Sequence, residues 1–427
     1  MLLVRVKRTF RFCLAAGATV CLLGLLVFYD LLLQPSSQSW QFAKPRRDPA
    51  DPPGKKSAPQ QLEDNPPLER NSARSDSQLG SCDRLGTEKF ERKTKFCVCR
   101  DGWWGELCHL PASITATAVE GMEIVPRKEP AVILNGFMFN MELDHLEIRD
   151  LIEELYSVVD FFIVAESNFS SHADRKPLHF MENKEKFARF HDKIIHVVVE
   201  DTPPGGVHTW EQEDYLRNGI ANIGLSEVTR RLKKRGKRRL RDDDLIIVND
   251  ADEIPSVETV HFLRHYTGYP EHIQFAFRWS IYGFNCLHRE LQNLLFSAAT
   301  IRHMREHLNG QSMAIRKPPY QSHFHSGADA HLAPHRDFTI GDAWNHRWAG
   351  YHCSWCASPE KIRVKLLSAL SGDGTRWGDY PEKTKPEYLG RRVACDAMKP
   401  AEGEMFAPKF VMKNRERFAY MLDYAAL

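Results

Sequence analysis

The chain has 427 residues, of which 27% are charged and 42% hydrophobic. Its 58 basic side chains nearly balance its 56 acidic ones, which excludes the whole-chain positive field that draws proteins to nucleic acid. The length suits one sizeable domain with accessory segments, since single cores stop growing near ~250–300 residues.

Four basic residues, Arg5, Lys7, Arg8 and Arg11, precede the uncharged run "FCLAAGATVCLLGLLVFY" at 12–29. Such a run is just long enough to cross a hydrocarbon core, for which ~17–25 residues are needed. It exceeds the apolar region of a cleaved signal peptide, and no small-residue cleavage site follows it. The expectation is a cytoplasmic tail at 1–11 and a transmembrane signal anchor at 12–33, with everything beyond it luminal. A short span suits a thin, early-secretory or Golgi membrane, so the expected product is a single-pass type II Golgi membrane protein. Eight of the ten cysteines fall on the luminal side, where disulfides persist.

Residues 34–80 are rich in Pro, Ser, Gln, Lys and Arg and are expected to form a flexible stem. Residues 81–110 hold Cys82, Cys97, Cys99 and Cys108 around "GWWGE", and a segment this small needs staples. The pair Cys353 and Cys356 reads as a disulfide or two neutral thiols rather than a zinc site, because no second pair accompanies it.

From 111 to 427 one α/β domain is expected. The runs at 131–139, 158–167, 193–200 and 244–250 are short, apolar and rich in Val, Ile and Phe, as in strands covered on both faces. Helical patterns at 141–157, 211–223 and after Pro255 separate them. Alternation of this kind predicts a parallel sheet with ligand groups at the strands' C-terminal ends. No G-x-G-x-x-G follows the first strand, so the dinucleotide fingerprint is absent. A more aromatic strand at 272–284 is a candidate acceptor-side wall. The basic segment at 230–241, nine basic residues in twelve, reads as a solvated loop or helix end, with polyanion contact as the alternative.

The most chemical stretch is "NDADEIP" at 249–255, where Asp250 and Asp252 follow a buried strand. Side chains two apart on extended backbone share a face. Two carboxylates brought together repel unless a cation lies between them, and hard oxygen donors suit Mn²⁺ or Mg²⁺. Such an ion neutralises a departing nucleoside diphosphate. The competing reading makes Asp252 and Glu253 an acidic start to the following helix.

"NDADEIP" also resembles the D-x-D-E-I-P signature of glycosyltransferase family 17. Further stretches resemble that family in order: "FNMELDHLEIR" (139–149), "VVDFFIVAESNFS" (158–170), "WEQEDYLRN" (210–218), "GYHCSWCASPEKIRVKL" (350–366) and "GDGTRWGDY" (372–380). The resemblance implies a GT-A (Rossmann-like) catalytic domain at 111–427. It implies UDP-GlcNAc as donor, a divalent metal (Mn²⁺ before Mg²⁺) and inversion at the anomeric carbon. The implied reaction is β1,4 transfer of GlcNAc to the core β-mannose of N-glycans on glycoproteins, with no nucleic-acid partner.

Carried over by position, Asp250 and Asp252 become metal ligands and catalytic residues, with His352 as a candidate third ligand. Arg217, Asn218, Glu142 and Glu166 become donor contacts, and Glu213 is placed to orient Arg217 from one helical turn away. An inverting transfer needs a general base; Glu360 is the first candidate, Asp379 the second and Asp373 the third. Trp355 and Trp377 offer flat surfaces for sugar rings. The cysteine-rich segment is similar to the second half of an epidermal-growth-factor-like module, whose pairing implies Cys82–Cys97 and Cys99–Cys108. Asn168 begins the one N-glycosylation sequon. Two alternatives stand beside this reading: a UDP-sugar transferase with another glycan or lipid acceptor, and a non-catalytic lectin-like module. The sequence carries no sign of oligomeric state.

Overall fold

The structure is a computed structural model that describes residues 82–91, 93, 96–139, 155–170, 175–200, 209–317, 337–357, 359–368, 385 and 407–422. All lie within the unit Ser75–Leu427. The expected membrane anchor at 12–33 and the stem lie outside these residues. Among the described residues, no helix is long and apolar enough to cross a membrane.

Strands β1 (Thr87–Glu91) and β2 (Phe96–Cys99) pair antiparallel, as do β3 (Trp103–Trp104) and β4 (Leu110–Pro111). Cys82 is bonded to Cys97 and Cys99 to Cys108. The segment has little core of its own, and the cross-links restrict its unfolded chain instead. Asp83 anchors it to the domain. Its buried carboxylate accepts hydrogen bonds from the Leu85 and Gly86 amides, from His261 Nε2 at 2.9 Å and from the Tyr266 hydroxyl at 2.7 Å.

After β5 (Val125–Pro126) come the main strands β6 (Ile133–Phe139) and β7 (Phe161–Ser167). Helix α1 (His179–Asn183) and a 3₁₀ segment (Lys184–Phe190) lead to β8 (Ile194–Val199). Helix α2 (Thr209–Gly219) passes through a π-helical turn, Ile220–Gly224, into α3 (Leu225–Lys234). The chain then enters β9 (Leu245–Asp250), β10 (Glu253–Pro255), α4 (Val257–His265) and β11 (Tyr266–Thr267). The remainder comprises β12 (Ile273–Ile281), β13 (Leu287–Thr300), α5 (Ile301–His307), α6 (Met313–Arg316), β14 (Phe338–Ile340), β15 (Gly350–Ser354), α7 (Pro359–Ser368), α8 (Lys409–Lys413) and α9 (Ala419–Leu422).

One nine-stranded sheet organises the domain in the order β10-β15-β12-β13-β9-β6-β7-β8, with β14 beside β12. Strands β9, β6, β7 and β8 are mutually parallel. Their residues divide by the two-residue period of a strand. Ile133, Phe137, Phe162, Val164 and Ile247 face one apolar core, which includes Phe262 and Leu263 of α4. Leu134, Phe161, Ile163, Ile246 and Val248 face the other, with Leu216, Ile220 and Val228 of the α2–α3 rod. Gly136 lets this rod approach closely, because a Cβ there would lie 2.3 Å from Ile220 Cγ2.

The expectation of a GT-A, Rossmann-like parallel sheet is corrected by this topology. The fold is mixed α/β. Strand β13 pairs antiparallel with both β12 and β9, and β10 pairs antiparallel with β15. Only residues 282–286 join β12 to β13. A parallel connection needs a crossover of a dozen or more residues, so a link this short folds the chain back on itself.

The basic segment 230–241 straddles the end of α3 and the loop before β9. Arg230 and Arg231 bind Glu227, Arg235 donates to the Asp192 carbonyl, Arg238 grips Asp244 and Arg241 reaches Glu129. Four of its nine basic side chains, Arg231, Arg235, Arg238 and Arg241, thus reach neighbouring segments, while Arg230 pairs within its own helix.

Candidate active site

Strand β9 leaves the core at Asn249, which is fully buried, and delivers Asp250 to the sheet's edge. A turn through Ala251 and Asp252 reverses the chain into β10. There Glu253 lies in register with His352 of β15, and Pro255 with Gly350. The acidic triplet therefore belongs to a tight ribbon. The helix after it is capped by Ser256, whose Oγ accepts from the Thr259 amide at 3.1 Å. This corrects the alternative in which Asp252 and Glu253 start the helix.

A chain of five charges runs through the site. Arg217 of α2 donates to Asp250 Oδ1 at 2.7 Å and to Glu213 Oε1 at 3.1 Å, one helical turn back. Arg316 of α6 bonds Glu253 Oε1 at 2.8 Å and stands 3.9 Å from Asp250 Oδ2. The second Glu253 oxygen accepts from the Asp250 amide at 3.0 Å. Arg217, Arg316 and Glu253 are almost fully buried, whereas the Asp250 side chain is 37% exposed. Asp250 is thus the member of the network that a ligand can reach.

Burial opposes the charge on Asp250, but the Arg217 and Arg316 guanidiniums outweigh it and hold the carboxyl well below the usual carboxylate range. Glu253 goes the other way. Its burial and the charge of Asp250 raise its pKa despite Arg316. Burial also raises Glu213. Two carboxyls three residues apart are thereby driven in opposite directions, one kept ionised at the surface and one structural beneath it.

Asp252 faces Lys365 Nζ of α7 at 3.5 Å and His352 Nε2 at 3.8 Å. Both ring nitrogens of His352 are engaged, Nδ1 with the Asn293 side-chain amide at 3.0 Å and Nε2 with Ser354 Oγ at 2.9 Å. Trp279 of β12 lies beside them: its ring stacks on His288 at 3.7 Å and on His352 at 5.9 Å, and its indole N–H donates to Ser354 Oγ. Trp355, next to Asp252's partners, packs under the Lys365 ammonium at 5.2 Å.

Other sequence candidates sit elsewhere. Glu166 is fully buried and accepts from the Phe180 and Met181 amides at the start of α1 and from His196. Three hydrogen bonds thus tie it into the fold. Asn218 accepts from the Met313 amide and locks α2 to α6. Asn168 lies half-buried just beyond β7, with its side-chain oxygen enclosed. Glu360 falls in the first turn of α7, and its side chain is outside the description. Glu142, Asp373, Trp377 and Asp379 lie outside the described residues. Cys353 is bonded to Cys356, and Cys286 is also in a disulfide.

Arg316, Lys365 and Asn293 join the site although the sequence does not single them out. Each lies far from the acidic motif in sequence, and only Lys365 falls in a stretch, 350–366, that resembles the family. The nearest available signal was charge balance: three carboxylates on one emerging ribbon require nearby cations.

No cluster of three His, Cys, Asp or Glu side chains able to hold a metal occurs among the described residues. Two carboxylates are nevertheless a fitting protein share for a hard divalent ion, since such ions commonly take one or two carboxylates and complete their shell with substrate phosphates and water. The partly exposed Asp250, kept ionised by its arginines, has the character of such a ligand. His352, with both nitrogens engaged, does not supply a third in this arrangement.

The family model "Glycosyltransferase family 17" matches residues 115–306. A human protein named beta-1,4-mannosyl-glycoprotein 4-beta-N-acetylglucosaminyltransferase is 33% identical over 364 residues, spanning 81% of this chain and 65% of that protein. The rat and mouse proteins of the same name are also 33% identical, with 64% of their length covered. The chain therefore spans just under two thirds of these relatives. No solved structure matches it. By its motif order, its family-model match and this shared identity, the chain carries in residues 115–306 a domain that belongs to glycosyltransferase family 17.

Proposed function

We propose that this protein transfers GlcNAc from UDP-GlcNAc, with inversion, in β1,4 linkage to the core β-mannose of N-glycans. The observation that carries the proposal is the 33% identity across 81% of the chain to proteins named for that activity. The emergence of an ionised, ligand-accessible Asp250 at the end of β9 supports it independently.

Asp250 and Asp252 would hold a divalent ion, Mn²⁺ first and Mg²⁺ second, which when bound neutralises charge on the departing diphosphate. Arg217 and Arg316 fix the Asp250 carboxylate in charge and orientation, which costs no reorganisation during reaction. Trp279, steadied by Ser354 and His288, presents an aromatic wall beside the carboxylates on which an acceptor sugar can rest. The attacking hydroxyl needs a proton acceptor whose pKa lies near the working pH. Asp250 is held too low for that task, and the role is assigned to Glu360, with Asp379 as the alternative. The basic run before 12–29 and the disulfides support a Golgi membrane protein anchored at 12–33. Extraction of the full chain by alkaline carbonate alone would refute that anchoring.

The test is incubation of the full chain with UDP-GlcNAc, Mn²⁺ and a defined biantennary N-glycan. One added N-acetylhexosamine on the core mannose is expected, abolished by Asp250→Ala, by Asp252→Ala and by chelation, and restored by Mn²⁺. Transfer to any other position, or none, overturns the assignment.

A further inference from the structure

A cavity of about 470 Å³ opens where the cysteine-rich segment meets the start of β15. That volume lies within the roughly 300–1,000 Å³ of small-ligand sites. Three aromatic residues, Trp103, Trp348 and Tyr351, line it together with the charged Asp101, Glu258 and Arg347. Glu258 is paired with Lys409 at 2.8 Å, and Lys409 is also part of the wall. With His346 counted as neutral, two acids and two bases leave the wall without net charge, which disfavours a phosphate or polyanion. Aromatic faces beside flat, hydrogen-bonding carboxylates and a guanidinium suit a neutral polyhydroxy ligand instead.

Two further observations point the same way. Ser113 Oγ and Trp348 Nε1, on residues of this wall, are buried without a hydrogen-bond partner, and groups of that kind carry a cost until something bonds them. The loop that supplies Arg347 and Trp348 is also held rigid. Asp342 accepts from the Trp344 and Asn345 amides, and its backbone pairs with Arg347. At its tip Trp344 stands 89% exposed.

The cavity is joined to the candidate active site by the β10–β15 ribbon. Gly350 and Ser256 line the cavity, while Glu253 and His352 sit at the ribbon's other end, about 7 Å away at ~3.3 Å per residue. We propose that this cavity is a second sugar subsite, which holds an outer arm of the oligosaccharide whose core is presented at Asp250; the inference rests on the proposed transfer to N-glycans. It gives the cysteine-rich segment a part in acceptor binding, through Asp101 and Trp103.

The experiment compares binding of a biantennary N-glycan and of its trimannosyl core to the full chain by titration calorimetry without UDP-sugar. The double variant Trp344→Ala/Arg347→Ala alters exposed side chains only, and its unchanged melting temperature serves as the folding control. The native chain is expected to bind the biantennary glycan about tenfold more tightly than the core, a difference of ~1.4 kcal/mol. The variant is expected to lose that preference while binding the core as before, and in turnover to raise KM for the long glycan with kcat unchanged. Equal affinity for both glycans in the native chain, or an unaltered preference in the variant, overturns the subsite. A preference that persists in a chain unable to transfer to the core mannose refutes the proposed reaction and leaves the subsite standing.

Discussion

Arg217 is the residue on which the charge network turns. It is buried between Glu213 and Asp250, and their negative charges raise its pKa further against the effect of burial. Removing one partner of a buried ion pair leaves the others uncompensated, at a cost of ~3–5 kcal/mol. Arg217→Ala is therefore expected to lower stability to denaturant by about 3 kcal/mol and to abolish transfer. Arg217→Lys keeps the charge but loses the fork that spans both carboxylates, and should restore much of the stability while leaving kcat depressed about a hundredfold. Denaturant midpoints and initial rates decide the matter; equal rates for Lys and Arg would reject the orienting role. Asp250 and Asp252 were legible from sequence because an apolar strand ending in D-x-D is a local pattern. Arg316 was not, because the contact of a guanidinium with a carboxylate 63 positions away leaves no trace in the residues around either.

The elements show the same division. The four parallel strands were visible as apolar runs because strands covered on both faces need apolar side chains at every position. Strand β13 was not, since its first half, "LHRELQN", breaks that pattern. Asp83 gives an element-scale prediction, because it ties the stapled segment to His261 and Tyr266 of α4 and β11. Asp83→Ala orphans those buried donors and is expected to cost roughly 2–4 kcal/mol, read as a lower denaturation midpoint and faster proteolysis within 82–108. Unchanged protection of that segment would show that the disulfides alone order it. Ser256→Ala removes the cap of α4 and should cost about 1 kcal/mol. Gly136→Ala places a methyl group 2.3 Å from Ile220 and should destabilise the α2 packing by ~1–3 kcal/mol, since a β-strand flanked on both faces cannot shift to make room.

At the scale of the whole molecule, one buried and one half-buried imidazole shape the response to acid. Burial holds His265 down to about 4, helped by His261 and Arg264, and burial beside His303 holds His272 down to about 3. In the unfolded chain both protonate near 6.5, so as pH falls below that value the unfolded state gains protons the fold refuses. Stability is thus full above ~6.5 and declines progressively toward about 4 for His265 and about 3 for His272. Calorimetry should find a melting temperature several degrees lower at pH 5 than at pH 7, with a shallower decline in His272→Gln. A flat profile between those values would contradict the lowered pKa of both rings. Asp83, which its partners hold low against burial, adds a loss confined to more acid conditions.

By itself the sequence determined the chemistry of this protein's parts: which runs are strands, which two aspartates leave the sheet together, which cysteines need partners and which family the motifs follow. Those are local matters, written in the spacing of neighbouring residues. Only the tertiary structure decided that the sheet is mixed, that Glu166 and Asn218 serve the fold, and that Arg217 and Arg316 keep Asp250 charged. The reason is physical: strand direction follows from the length of each connection and from which edge is free. The charge state of a carboxyl follows from burial and from cations that arrive from distant segments, and neither quantity exists until the chain has folded.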